Sequence, residues 1–367
     1  MLKSKVHFWT LQILLVLLII FVSTKVSFLF EPFILFVTTL FFPILIAGIL
    51  FFIFNPVVNL LQKKLPRTIS ILLIYLVFIV LVSILLATVG PIVTSQITDL
   101  FNNIPRYAEE IPSLINNLYE SQWYKWMLNQ DYVSISQLQN TLSSYATNLP
   151  QNFSKGVSAI VGVMANITLA IVTVPFILFY MLKDGSHFPN LAVKILPVNY
   201  RKEGLKIFHD LYSTLAAYIQ GQLIVSLFVG TGCFIGYSII GLDYALILGI
   251  VVAVTNIIPY LGPFIGAAPA VIIALIESPT QALLAIVVVA VVQQIDGNLI
   301  SPLVIGKRIN THPLTIILLL IGASSFGGVL GMILAVPVYA VLKAFTLNVV
   351  RLIRLRQLSV LDKEKQA

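Results

Sequence analysis

Gln293, Gln294, Asp296 and Asn298 stand close together at the end of a long apolar run. A carboxylate beside three carboxamides can hold a proton or a cation and can hydrogen-bond a polar solute. Ionisable side chains are costly inside a bilayer, so they face interior cavities rather than lipid. Asp296 is therefore the candidate carrier of a proton or cation, with Gln293 and Gln294 as candidate solute contacts. A second reading stays open, in which Asp296 lies among the headgroups and pairs with Lys307 or Arg308. Asn256 adds another carboxamide just before Pro259-Tyr260-Leu261-Gly262-Pro263. His312 precedes Pro313 and reads as a structural hydrogen-bonder ahead of a proton relay. Asp243 and Glu277 read as helix caps at the external interface.

Two interrupted apolar stretches would have to position these groups. Residues 243–277 are broken at Pro259–Pro263, and residues 312–347 at Gly322–Gly328. Two full spans and a turn need about 40 residues or more, so each stretch is a cramped pair of spans or a re-entrant hairpin. Gly262 and Gly266 precede Pro269; Gly327 and Gly331 precede Pro337 with the same spacing. Two broken segments inserted from opposite sides are what a secondary transporter uses to build a central site. Backbone released from helical bonding survives at membrane depth only when buried in protein or facing water. On this reading Pro259, Gly262, Gly266, Gly327 and Gly331 belong to the site. For each glycine alone the alternative is close helix packing.

The surroundings are those of a membrane protein. Of 367 residues, 59% are hydrophobic and only 10% charged, and mean hydropathy is +1.00. A soluble domain carries about 25% charged residues, so a soluble enzyme, a disordered chain and a nucleic-acid binder are excluded. The apolar runs are too long and continuous for barrel strands, which alternate over about ten residues. The expected class is all-α: a polytopic helical membrane protein of about eight membrane segments, two of them the broken hairpins.

Six full spans are expected near 8–30, 32–54, 69–93, 156–182, 220–240 and 279–298, the third ending at Gly90 and Pro91. With the N-terminus inside, only Lys25, Arg106, Lys125 and Lys155 of the 22 basic residues fall outside. The positive-inside rule then puts both termini in the cytoplasm and attributes the net charge of +8 to topology. An uncleaved first span is favoured over a signal peptide, because Ser23-Thr24-Lys25 offers no small-residue cleavage site. The expected organisation is three N-terminal membrane helices (1–93), an extracytoplasmic amphipathic segment (94–155), a membrane transport core (156–347) and a basic cytoplasmic tail (348–367). Trp123, Tyr124 and Trp126 suit either the headgroup level or a small aromatic core. Residues 199–219 read as a basic amphipathic helix on the inner leaflet.

Enzyme signatures are missing. There is no His-Glu-x-x-His and no Walker-type loop. No histidine follows Gly322-Ala323-Ser324-Ser325 to serve as base, and Gly241-Leu242-Asp243 lacks its second glycine. The lone Cys233 permits no intrachain disulfide. No enzyme activity, cofactor or resident metal is expected.

The chain resembles the bacterial autoinducer-2 exporter family of permeases in three signatures. The first is Asn256-Ile257-Ile258-Pro259-Tyr260-Leu261-Gly262-Pro263-Phe264-Ile265-Gly266; the second is Gln293-Gln294-Ile295-Asp296-Gly297-Asn298-Leu299-Ile300-Ser301-Pro302. The third joins His312-Pro313-Leu314, Phe326-Gly327-Gly328-Val329-Leu330-Gly331 and Ala335-Val336-Pro337. The resemblance covers nearly the whole chain and includes Lys183-Asp184-Gly185. It implies an inner-membrane permease that moves a small polar solute or signal by ion-coupled secondary transport, with H+ or Na+ as coupling ion, and assembly into a homo-oligomer. Other members resemble sodium(lithium)/proton antiporters, which gives a second expectation. A third is a non-transporting membrane scaffold that recruits partners through residues 94–155.

Overall fold

The computed structural model describes residues 5–120, 172–185, 187–306 and 311–365. Trp123, Tyr124, Trp126, most of the expected span 156–182, and Lys307 and Arg308 as partners for Asp296 lie outside the described residues. The described residues are almost wholly helical and hold no strand. α1 (Lys5–Lys25) and α2 (Ser27–Leu61) are separated only at Val26. α3 (Arg67–Glu120), α4 (172–184) and a short turn, Phe188–Ala192, follow. α5 (Arg201–Ile239), α6 (Ala245–Thr255), α7 (Leu261–Glu277) and α8 (Pro279–Ile295) form the core. A π turn (Asp296–Ile300) and one helical turn (Ser301–Val304) lead to α9 (Pro313–Lys365), whose two arms meet at Gly328.

Among the described residues, five helical stretches are long and apolar enough by length and composition to cross a membrane: Glu31–Leu61, Arg67–Leu100, Arg201–Ile239, Pro279–Val304 and Pro313–Val350, the last folded at Gly328. Their large apolar side chains are widely exposed, Leu76 and Leu318 at more than half of their surface. That is the surface a lipid solvent requires. One expected boundary differs. α3 does not stop at Gly90 and Pro91 but continues to Glu120. A proline removes one main-chain bond, and at an exposed turn the helix absorbs the loss. Thr94 Oγ1 donates back to the Gly90 carbonyl at 2.9 Å in the same stretch.

Both broken stretches reverse the chain. In the first, the Gly262 backbone lies so close to α6 that a Cβ there would overlap the Thr255 carbonyl. In the second, a Cβ at Gly331 would overlap the Ala323 carbonyl, a residue two turns away that a straight helix would hold far apart. The reversal is made by Gly328 at φ 55°, ψ −138°, a conformation open essentially to glycine alone. α6 has 11 residues and rises about 16 Å, roughly half the hydrocarbon thickness.

Three apolar clusters hold the helices. Ala47, Phe51, Val58, Ile71, Leu178 and Leu182 join α2, α3 and α4. A larger cluster joins α5 through α8, with Val229, Tyr237, Leu248, Val252, Ala274 and Ala285 at its centre and Leu100 of α3 at its edge. Here Gly230 of α5 and Gly249 of α6 bring two backbones together, as small residues do where lipid gives no hydrophobic drive. The third cluster sets Tyr218 of α5 and Ile258 of the first hairpin's tip against Ile316, Leu320, Ala335 and Val336 of the second hairpin. The tip of the first hairpin therefore meets the base of the second.

The ends of the first hairpin are fixed by other groups than expected. Ser278, not Glu277, caps α8, its hydroxyl accepting from the Gln281 N–H at 3.1 Å, with Pro279 at the first helical position. Tyr244, not Asp243, occupies the N-cap of α6 without a side-chain cap bond. A hydroxyl reaches its own helix three residues on at no cost in charge desolvation, which a carboxylate cannot match near lipid. α3 holds this end instead: Gln96 Oε1 accepts from the Ile247 N–H at 3.1 Å, and Asn103 Nδ2 donates to Tyr244 Oη at 2.9 Å.

Candidate functional site

A cavity of about 550 Å³ lies where α5, the first hairpin's tip, the π turn and the base of the second hairpin converge. α5 contributes Tyr218 and Gln222; the tip contributes Asn256, Pro259, Tyr260 and Pro263. The end of α8 and the following turns contribute Gln293, Asp296, Gly297 and Ser301, and Thr311, Ile316 and Val336 close the far side.

Local chemistry explains each placement. Asp296 opens the π turn, a wider coil that turns side chains off the regular helical face and recurs at functional sites. It is buried to 9% exposure, and its Oδ1 accepts from Ser301 Oγ at 2.8 Å. Tyr260, at φ 62° and ψ −49°, centres a rare γ-turn in which the Leu261 N–H donates to the Pro259 carbonyl at 2.7 Å. A tyrosine held there stores about 1–3 kcal/mol of strain.

The tip departs from expectation in how its peptide groups are satisfied. Ile258 N–H reaches the Thr255 carbonyl at 2.9 Å and Gly262 N–H the Ile258 carbonyl at 2.9 Å. Gln222 Nε2 donates to the Asn256 carbonyl at 2.7 Å, and both residues are buried. The unsatisfied groups are side chains instead: Tyr218 Oη, Asn256 Nδ2 and Gln293 Nε2 are buried without a partner among the described residues. Three orphan polar groups around one cavity are expensive unless solute or water meets them. Replacing Gln222 by leucine should therefore strand the Asn256 carbonyl and cost about 1–3 kcal/mol. Thermal unfolding in detergent reads this, and an unchanged midpoint would remove Gln222 from its role as a support of the tip.

The residues singled out from sequence separate into groups. Asn256, Pro259, Gln293 and Asp296 line the cavity together. Gln294 and Asn298 are exposed and outside its lining. Gly262 and Gly266 are buried in the packing of the first hairpin's two arms, against Thr255 and Val252. Gly331 does the same in the second hairpin, whereas Gly327 has no neighbour for a Cβ within 4 Å. His312 is exposed, and its Nδ1 accepts from the Leu314 N–H at 3.3 Å, so it serves the start of α9. Tyr218, Gln222, Ser301 and Thr311 were not foreseen. Tyr218, Gln222 and Ser226 recur every fourth residue in an apolar helix, all buried. That polar stripe was the available signal.

Among the described residues, no group of three or more His, Cys, Asp or Glu side chains is placed to hold a metal ion. The cavity lining also includes no lysine or arginine among them.

Comparison with known proteins places this geometry in context. The model of the AI-2E family transporter matches residues 13–351. YueF of Bacillus subtilis (strain 168), described by name as a transport protein, is 71% identical over 99% of this chain and 98% of its own. YrrI of the same organism, also named as a transport protein, is 35% identical over 94% of this chain and 96% of its own. PerM of Escherichia coli (strain K12), named as a permease, is 26% identical over 82% of this chain and 85% of its own.

Proposed function

The chain belongs to the AI-2E family of transporters, and on that footing we propose that it moves a small neutral or cationic polar solute through the cavity beside Asp296, coupled to H+ or Na+. It is a multi-pass membrane transporter; the bacterial inner membrane, cytoplasmic termini and homo-oligomeric assembly belong to the proposal.

One observation carries the reading. Among the described residues, Tyr218 Oη, Asn256 Nδ2 and Gln293 Nε2 are orphaned around a cavity that also holds a buried carboxylate and is lined by no basic residue. The three groups suit hydroxyl or carbonyl oxygens of a solute. A lone carboxylate repels anions and attracts cations or a proton. Mobility would come from the two hairpins: Ile316 and Val336 line the cavity and pack in one cluster with Ile258, a contact that can part as the site changes sides. An 11-residue α6 supports a re-entrant first hairpin over a spanning one.

The test is flux in proteoliposomes, with neutral polyols, organic cations and organic anions supplied separately under imposed proton or sodium gradients. Uptake or release of a neutral or cationic solute that follows one gradient is expected. Transport confined to anions would overturn the assignment. The sodium(lithium)/proton antiporter reading draws on the same Asp296–Ser301 pair, since a carboxylate beside a hydroxyl can take either ion. Sodium-driven proton movement without any added solute would favour it.

A further inference from the structure

A second cavity, of about 330 Å³, shares no lining residue with the first. It lies where the end of α2, the start of α3, the end of α4 and the first turns of α5 meet. Its polar wall is Asn55, Asn59, Arg67, Asn190 and His209. Its apolar wall includes Phe51 and Phe208, with Tyr212 packed edge-on against Phe51 at 6.2 Å between ring centroids.

Arg67 is the unusual member. Its guanidinium is part-buried, yet all its partners are neutral: Nε donates to the Leu182 carbonyl at 2.6 Å, Nη1 to Gln62 Oε1 at 2.9 Å and Nη2 to Asn55 Oδ1 at 3.5 Å. The Leu182 bond serves the C-terminal end of α4, where cations are favoured. The other bonds leave guanidinium N–H groups over, and no carboxylate meets the charge among the described residues. The nearest acidic residues along the chain, Asp184 and Asp210, are exposed and outside the lining. Asn59 and Asn190 are exposed to the cavity and make no hydrogen bond of their own among the described contacts. Exposed Lys63, Lys64 and Lys183 stand within a few residues of the walls. A part-buried, permanently charged, planar donor beside free carboxamides matches a phosphate group. An apolar wall beside it matches the chains of an amphiphile.

We infer that this cavity binds a phosphate-bearing anion, with the headgroup of an anionic phospholipid as its occupant, held by Arg67 with Asn59 and Asn190. It fixes α5 against the α2–α4 body at the membrane surface, where Asn55 Nδ2 also donates to Tyr212 Oη at 2.6 Å and Gln220 Nε2 to the Phe52 carbonyl at 2.6 Å.

Thermal unfolding of the full chain in detergent tests this, with phosphatidylglycerol, phosphatidylcholine or inorganic phosphate added at matched ionic strength. Phosphatidylglycerol is expected to raise the midpoint, and Arg67→Gln to weaken its half-saturating concentration roughly tenfold or more. Because Arg67 also serves the end of α4, its variant can fail to fold. Asn59→Glu removes no native bond and sets a carboxylate in the cavity; it should weaken binding comparably, while Asn59→Gln leaves it intact. Equal stabilisation by inorganic phosphate would assign the site to a free anion, and silence of phosphate beside a lipid effect assigns it to the headgroup. The inference fails if neither anion exceeds phosphatidylcholine, or if Asn59→Glu binds as the wild type does.

Discussion

Asp296→Asn is expected to abolish gradient-driven transport while leaving the fold intact. The substitution keeps the volume of the side chain and an oxygen that can accept from Ser301 Oγ, now at 2.8 Å from the carboxylate. It removes the charge, and with it the ability to take up a proton or hold a cation. Among the described residues no lysine or arginine lines the cavity itself, and the cation nearest to its wall, Lys343, is engaged through Nζ with Thr311 Oγ1 at 3.3 Å. Losing a charge-assisted contact costs a few kcal/mol, and each 1.4 kcal/mol is about tenfold in an equilibrium. Coupled flux in proteoliposomes should fall roughly tenfold or more, with the elution profile and melting midpoint unchanged. Ser301→Ala should give a smaller loss, because it removes a supporting hydroxyl and keeps the charge. If Asp296→Asn vesicles still accumulate solute against a gradient as the wild type does, ion coupling through this residue is lost as an explanation, although the cavity would remain as a passive route.

Gly262→Ala and Gly331→Ala should each fail as folded proteins, while Gly322→Ala should be tolerated. At Gly262 a Cβ would overlap the Thr255 carbonyl and stand 2.7 Å from the Asn256 Cα. Both neighbours are backbone, so neither can swing aside as a side chain would. The arms of the hairpin would have to separate, undoing the contacts of Gly266 with Val252 and the cavity wall at Asn256. Overpacking a core costs about 1–3 kcal/mol when side chains can adjust, so a backbone collision should exceed that. Gly331 meets the Ala323 carbonyl in the same way, whereas nothing lies within 4 Å of a Cβ at Gly322. There the helix should gain up to about 1 kcal/mol from the better helix former. The yield of monodisperse protein and the unfolding midpoint in detergent check all three. Normal yield and midpoint for Gly262→Ala would show that the two arms stand further apart than described.

These glycines also show how much a local pattern can say. Gly262 with Gly266 and Gly327 with Gly331 share one spacing in the sequence and were read together as site residues. Folding separates them: three pack arm against arm, and Gly327 meets nothing. Spacing alone could not distinguish these fates, because a glycine acts through whatever backbone approaches it. His312 and Asp296 divide similarly. Both are lone ionisable groups beside a helix break, but His312 caps its own helix within two residues, whereas Asp296 needs α5 and both hairpins to enclose it.

The sequence by itself determined the solvent and the punctuation. A chain of 59% hydrophobic residues with 10% charged ones must dissolve in lipid, and lipid admits helices because every peptide group must be bonded within its own segment. Pro259–Pro263 and Gly322–Gly328 mark the stretches where the chain reverses, since proline and glycine act on the backbone where they stand; the structure puts the second reversal at Gly328. Only the tertiary structure decided which polar groups meet. Tyr218, Asn256, Asp296 and Thr311 are far apart along the chain, and their convergence depends on how α5 and the two hairpins cross. Crossing is set by packing between helices, through contacts such as Gly230 on Gly249 and Ile258 on Val336. No residue carries that information in its neighbours along the chain.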